Sequence, residues 1–232
     1  ARHALDGTTY LGSAADADAD GQVHANALGD DNDGTDDEDG VTLAADFEED
    51  VTESITVVAS VAGYLNAWFD WNDDGDWNDS GEKIFTNQAL SVGSNILSVD
   101  VPCDITAGTS YARFRFTSYS GTINPTGYAT DGEVEDYEIT LTAESTSPAI
   151  TCPSNVTIST NQDGANDNNC QTSFSYTAPI GTDNCTPTTT LVSGQGAASA
   201  TYTVAASPYT ETWKVTDGAG NSTTCSFTIT VA

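Results

Sequence analysis

Residues 150–232 are a succession of short alternating runs, each stopped by turn-forming residues before it can lengthen. The runs fall at 155–160, 171–178, 188–192, 200–205, 209–217 and 225–231. Strand side chains point to opposite faces in turn, so a period of two assigns one set of residues to a core. That set is Val156, Ile158, Phe174, Tyr176, Tyr202, Val204, Trp213, Val215, Phe227, Ile229 and Val231. The stretch Asp217-Gly218-Ala219-Gly220-Asn221 reads as a hairpin turn between the last two runs. Six or seven strands in about 80 residues predict an immunoglobulin-like sandwich.

The N-terminal part differs in charge. The chain of 232 residues has 35 acids and five bases, a net charge of −30. Residues 1–144 hold 30 acids against Arg2, Lys83, Arg113 and Arg115 (−26), and residues 145–232 hold five acids against Lys214 (−4). The composition shifts at Ser145-Thr146-Ser147-Pro148. The expected organisation is an acidic domain at 1–144, a linker at 145–149 and a second domain at 150–232. Both domains are expected to be all-β, two β-sandwiches in tandem. A surface this acidic repels phosphate, which argues against nucleic acid and anionic membranes as partners and in favour of divalent cations. No run of 18 apolar residues occurs, so no membrane-spanning helix is expected. The lack of Met and of a signal peptide reads as a processed or excised segment.

Cysteine follows the same division. Cys103 is alone in the first part, and Cys152, Cys170, Cys185 and Cys225 lie in the second. An even set in a small, Thr-rich domain predicts disulfides and an extracytoplasmic location. Four cysteines allow three connectivities. In an immunoglobulin-like sandwich the start of the last strand lies near the loop after the second, which favours Cys185–Cys225 and leaves Cys152–Cys170. Cys103 is expected to be a buried free thiol, the alternative being an intermolecular link.

The sequence Ile150-Thr151-Cys152-Pro153-Ser154-Asn155-Val156-Thr157, then Asp183-Asn184-Cys185, Val215-Thr216-Asp217-Gly218-Ala219-Gly220-Asn221 and Thr224-Cys225-Ser226-Phe227, resembles the hyalin repeat (HYR) family. The resemblance covers roughly 149–232 and implies an extracellular immunoglobulin-like module, tied to adhesion and spacing rather than to catalysis.

In the first part, acids gather in Asp-Gly loops. One cluster is Asp16, Asp18 and Asp20 before Gly21, and a second holds seven acids from Asp30 to Asp39, among them Asp31, Asp33 and Asp37. The third, Asp70-Trp71-Asn72-Asp73-Asp74-Gly75-Asp76 and on to Glu82, resembles an EF-hand-type calcium loop. Oxygen ligands alternate from Asp70 through Asn72, Asp74, Asp76 and Asn78, and glycine stands at the sixth position for the sharp turn. The twelfth position is Gly81, so the closing carboxylate, Glu82, falls one residue late. Flanking helices are absent, which makes this a loop between strands. Crowded carboxylates repel unless countered, and Lys and Arg are too few, so calcium is the expected cofactor. The plainer alternative is a solvated acidic surface.

Glu133 and Glu135 share a strand face with Tyr137, Ile139 and Leu141, and two carboxylates cannot stay unpaired in an apolar interior. They are expected at the rim of the sheet, meeting either a metal ion or Arg113 and Arg115. The same stretch, Gly132-Glu133-Val134-Glu135-Asp136-Tyr137, resembles the motif that names the GEVED family. Ala1-Arg2-His3, Tyr10-Leu11-Gly12, Asp37-Glu38-Asp39-Gly40-Val41, Phe69-Asp70-Trp71-Asn72, Gly81-Glu82 and Tyr111-Ala112-Arg113-Phe114-Arg115 are similar to that family too. This resemblance implies a β-sandwich with calcium-binding acidic loops in secreted or surface proteins of bacteria, notably Bacteroidota, and export by the type IX route. Family members usually begin before the Ala-Arg-His stretch, so either the chain is cut there or a first strand is missing, in which case strand addition from a second copy could fill the open edge.

Two histidines, His3 and His24, are too few for a triad or a zinc site, and no phosphate-binding glycine loop occurs. Paired carboxylates could do glycosidase chemistry, but acids in Asp-Gly loops fit calcium better. The expected function is a non-catalytic, calcium-stabilised structural or adhesive segment of a bacterial surface or secreted protein, and a candidate fibre subunit. Its partners would be copies of itself or neighbouring surface domains. The alternative is a calcium-dependent carbohydrate-binding module of a secreted enzyme, with glycans stacked on Trp68, Trp71 or Trp77. Trp68 and Trp71 lie on opposite faces of their strand, so at least one should be core.

Overall fold

The computed structural model describes residues 1–13, 38–160 and 170–232. The chain is all-β and forms two compact units, Ala1–Glu144 and Ser145–Ala232. No helix among the described residues is long and apolar enough to cross a membrane.

The strands of the first unit are β1 (Arg2–His3), β2 (Val41–Thr42), β3 (Phe47–Glu48), β4 (Thr52–Ala59) and β5 (Gly63–Phe69). They continue with β6 (Lys83–Leu90), β7 (Gly93–Asp100), β8 (Gly108–Thr117), β9 (Tyr128–Ala129) and β10 (Glu133–Thr142). One sheet runs β3-β10-β8-β5-β6 and the other β2-β4-β7, while β1 and β9 form a short parallel ribbon. The two sheets enclose a core that includes Phe47, Ile55, Val57, Leu65, Phe69, Val99, Phe114, Phe116 and Leu141. Alternation on β8 sends Ala112, Phe114 and Phe116 inward and Arg113 and Arg115 to the other face.

That other face is covered as well. Trp68, Ile123 and Ala129 form a second cluster there with Trp77 and Tyr119. Trp71 instead stacks on Phe69 in the main core, ring centroids 4.9 Å apart. Both tryptophans flanking the start of the acidic loop are therefore core residues. Arg115, 1% exposed, donates to the carbonyls of Asn124, Thr126 and Gly127, so its charge is met by main-chain dipoles of the covering segment. Its Nε donates to His3 Nε2 at 3.0 Å, and His3 Nδ1 lies 2.6 Å from the Asp131 carbonyl. These contacts fix a neutral imidazole, and burial with Arg115 beside it lowers its pKa to about 3.

The second unit contains β11 (Val156–Ile158), β12 (Gln171–Phe174), β13 (Thr188–Ser193), β14 (Ala200–Thr203), a 3₁₀ turn (Val204–Ala206), β15 (Tyr209–Thr216) and β16 (Ser222–Val231). Its sheets run β11-β16-β15-β13 and β12-β14 around Ile158, Tyr202, Trp213, Phe227, Ile229 and Val231. The turn before β16 closes as expected, with Asn221 N donating to Asp217 Oδ1 at 2.7 Å.

Three expectations need correction here. Cys225 bonds to Cys152, not to Cys185, which also removes the Cys152–Cys170 pairing. The reason is topological: β16 pairs in parallel with the first strand of the unit, Val156 opposite Ile229, and four residues back along each chain come Cys152 and Cys225. Cys185 is disulfide-bonded elsewhere, and Cys170 sits exposed at a left-handed backbone position (φ 56°). Cys103 is disulfide-bonded, contrary to the free thiol expected. Finally, Val204 is 43% exposed, because the chain leaves β14 for the 3₁₀ turn and its alternation ends there.

Candidate cation loop and the GEVED clasp

The loop 70–82 connects β5 to β6 at one end of the larger sheet. Its base is stitched to the sheet: Asp70 N donates to Tyr111 O, Phe69 N to Glu82 O and Thr106 N to Trp71 O. Ser110 Oγ reaches the Asp70 carbonyl at 2.5 Å, and Trp71 Nε1 donates to Gly81 O at 3.3 Å. Asp73, Gly75 and Gly81 take positive φ, which folds the loop back on itself.

Asp70 is buried, and its two oxygens accept from Asp74 N (3.2 Å) and Gly75 N (3.0 Å). Asn72 Nδ2 donates to Asp74 Oδ2 at 3.3 Å and Asp79 Oδ2 at 2.6 Å, so the positive end of an amide dipole lies between two carboxylates. Glu82, 2% exposed, accepts from Asp79 N through Oε2, while its buried Oε1 meets no hydrogen-bond donor among the described residues. Burial, with Asp70, Asp79 and Asp74 nearby, lifts the Glu82 carboxyl to about 7. Burial likewise raises Asp70 above its usual range.

Of the expected ligands, Asp70, Asn72, Asp74 and Glu82 line the same loop, with Asp70 and Asp74 near enough to act on the Glu82 carboxyl, but no three of the loop's carboxylates bring their oxygens within 4.8 Å of one another. Asp76 and Asn78 stand apart: Asp76 Oδ1 accepts from Asn78 N and Nδ2, and both residues line a neighbouring cleft of about 370 Å³ with Trp77, Arg113, Asn124 and Pro125. Sequence reasoning missed Asp79, which the Gly81 turn carries back beside Asn72 and Glu82. An oxygen-only set with a buried, unmatched carboxylate oxygen fits a hard cation such as calcium. Asp70, Asn72, Asp74, Asp79 and Glu82 are the residues that would hold it.

Glu133 and Glu135 face inward, opposite Phe116 and Phe114, and are almost fully buried rather than at a rim. Arg113 and Arg115 leave β8 on the opposite face. Arg113 forms a two-point ion pair with Asp136, the acid that shares its face. The glutamates accept main-chain donors instead: Leu11 N reaches Glu133 Oε2 at 2.5 Å, and Gly40 N reaches Glu135 Oε1 at 3.0 Å. Tyr137 Oη donates to Glu135 Oε2 and accepts from Val41 N. Asp39, expected as a metal ligand, accepts from Ser13 N at 2.9 Å and from Ser13 Oγ. Gly12 has φ 65°, and a Cβ there would lie 1.6 Å from Asp39 Oδ1, so only glycine lets the two segments approach. The motif thus clasps both flanks of residues 14–37. The expected ligands Asp16, Asp18, Asp20, Asp31, Asp33 and Asp37 lie outside the described residues.

In the second unit, sequence reasoning missed Glu211, which is fully buried beside Trp213. Its oxygens accept from Gln195 N, Gly196 N and Tyr176 Oη at 2.8–2.9 Å, which fastens the 193–197 turn to the core.

Comparison with known proteins gives two family matches. Residues 64–140 match the GEVED domain and residues 143–231 the HYR domain. No curated protein matches in sequence. Similar solved structures include the fibronectin(III)-like modules of Clostridium thermocellum CbhA, at 13% identity over 82% of this chain and 93% of that one, TM-score 0.25. The Ig1-2 module of the Drosophila receptor protein tyrosine phosphatase DLAR is similar at 10% identity over 82% and 95%, TM-score 0.25. DIP-gamma IG1+IG2 is similar at 7% identity over 84% and 98%, TM-score 0.28. The chain carries a GEVED domain followed by an HYR domain.

Proposed function

We propose that this chain is a non-catalytic structural or adhesive segment of a secreted or surface protein of bacterial origin, with calcium stiffening its acidic domain. The observation that carries this reading is Glu82 Oε1, buried near Asp70, Asp74 and Asp79 with no donor among the described residues. A bound cation would supply what the protein's own donors do not, and would tie the free end of the β5–β6 hairpin to the sheet. Among the described residues no nucleophile is paired with a base: His3 is locked between Arg115 and a carbonyl, and both oxygens of Asp70 accept from backbone amides of its own loop. The disulfides and the HYR domain favour an extracellular setting. Partners of the same kind, further copies or neighbouring domains, fit a charge of −30 better than nucleic acid does.

The glycan reading keeps one supporting observation, the cleft beside Asp76, Trp77 and Asn78. Against it, Trp68 and Trp71 are buried, and Arg113 lies 4.3 Å over the ring of Trp77, which removes the stacking platform that reading needs. The test is calorimetric melting together with light scattering, in calcium and in EDTA. Calcium should raise the melting of the first unit and leave that of the second, and Asp70→Asn should abolish the effect of the loop. Identical melts in both buffers would overturn the reading.

A further inference from the structure

The outer face of the smaller sheet is the anomaly of this acidic unit. Ser54, Thr56 and Val58 of β4 and Ser94, Ile96 and Ser98 of β7 point away from the core, and none carries a charge. Asp100, at the end of β7, is the exception, and it accepts a hydrogen bond from Thr52. Ile96 stands in the middle of the strand, 77% exposed, with Val92 67% exposed just before it.

Among the described residues β7 is also an open edge, because its sheet ends there. Proteins usually spoil such edges with bulges, charges or proline. The edge strand β6 follows that rule, with register shifts against β5 and a left-handed Asn87 (φ 48°). So does β13, whose register slips between Leu191 and Ser193. β7 does not: all eight residues pair with β4 in unbroken register from Gly93 to Asp100.

We propose that β7 is the surface through which a second copy of this chain docks, the two strands pairing antiparallel about a two-fold axis at Ile96. Charge selects the occupant. Between chains of −30, contact is least opposed where both surfaces are neutral, whereas a basic partner would find no acid here except Asp100. The strand is self-complementary in this register. Ile96 meets Ile96 of the second copy, Ser94 meets Ser98, and Asp100 comes opposite Val92 rather than another acid. Pairing would join two three-stranded sheets into one of six, with Ile96 side chains adjacent on the outer face. This names the surface for the self-association within the function proposed above, and rests on it.

The test uses the full chain carrying Cys170→Ser, with Ile96→Cys added, under mild oxidation. Residues directly opposite in an antiparallel pair have Cα atoms about 4.5–5.5 Å apart, within disulfide reach. Ile96→Cys should form a covalent dimer at least ten-fold faster than Val192→Cys, an exposed control in the other unit. Without cross-linking, Ile96→Asp should weaken self-association at least ten-fold with unchanged melting, and added salt should strengthen the parent association by screening the net charge. Equal cross-linking at Ile96 and Val192 overturns the proposal, as does association that Ile96→Asp leaves intact. A monomer at high concentration and high salt overturns self-association itself. A calcium shift in melting bears on the loop and is read separately.

Discussion

Replacing Glu135 with Ala isolates the clasp from every other role of the acidic domain. Glu135 is 1% exposed and accepts from Gly40 N at 3.0 Å and from Tyr137 Oη at 3.1 Å. Hydrogen bonds to an ionised acceptor contribute about 1.5–3 kcal/mol each, and the loss leaves Gly40 N in a buried position without that acceptor. Against this, the fold no longer desolvates a carboxylate, which offsets part of the cost. The balance is a loss of about 3 kcal/mol, or about 9 °C in melting for a unit of this size. Urea denaturation followed by fluorescence reads the first unit once Trp213 of the second is replaced by Phe, since Trp68, Trp71 and Trp77 all lie in the first. Glu135→Gln keeps one acceptor oxygen and should lose about 1 kcal/mol. A loss under about 0.5 kcal/mol for the alanine variant would refute the clasp.

Gly132 has φ 86°, and a Cβ there would stand 1.9 Å from the Phe116 carbonyl oxygen, so Gly132→Ala should cost about 2–5 kcal/mol by the same denaturation assay. His3 is held neutral with a pKa of about 3 against 6.5 when unfolded, so below pH 6.5 the unfolded state takes up a proton that the native state refuses. Stability of the first unit should therefore fall as pH drops from 6.5 towards 3, by up to about 1.4 kcal/mol per pH unit from this group, and the difference from a His3→Gln variant in paired denaturation series should be flat above pH 7. The Cys152–Cys225 bond closes a span of 73 residues, so removing both cysteines should destabilise the second unit by about 4 kcal/mol, read as a lower second transition in calorimetry.

Strand periodicity made the core of the second unit legible, because burial on one face of a strand writes itself into every second residue. Phe227, Ile229 and Val231 are buried as that period requires. What alternation could not reveal was the partner of an inward-facing acid. Glu133 and Glu135 bind amides of Leu11 and Gly40, 122 and 95 residues away, and a main-chain donor has no residue type to recognise. The same limit hid the disulfide, since Cys152–Cys225 follows from the parallel pairing of β11 with β16, a property of topology rather than of spacing. In the loop, Asp79 escaped notice because ligands were counted forward from Asp70, whereas Gly81 (φ 99°) turns the chain back and delivers Asp79 and Glu82 together. Glu211 did leave a signal. It shares the register of Trp213 and Val215, and an acid in that phase announces a buried acceptor.

The most direct test of the central claim is a count of bound calcium by equilibrium dialysis, on the parent chain and on Asp70→Asn and Glu82→Gln. Residues 14–37 carry acids of their own, so the difference between chains is decisive rather than the total. Each variant should hold one ion fewer than the parent at saturating calcium, with the second unit melting unchanged. An equal count in all three would contradict a cation site in the 70–82 loop.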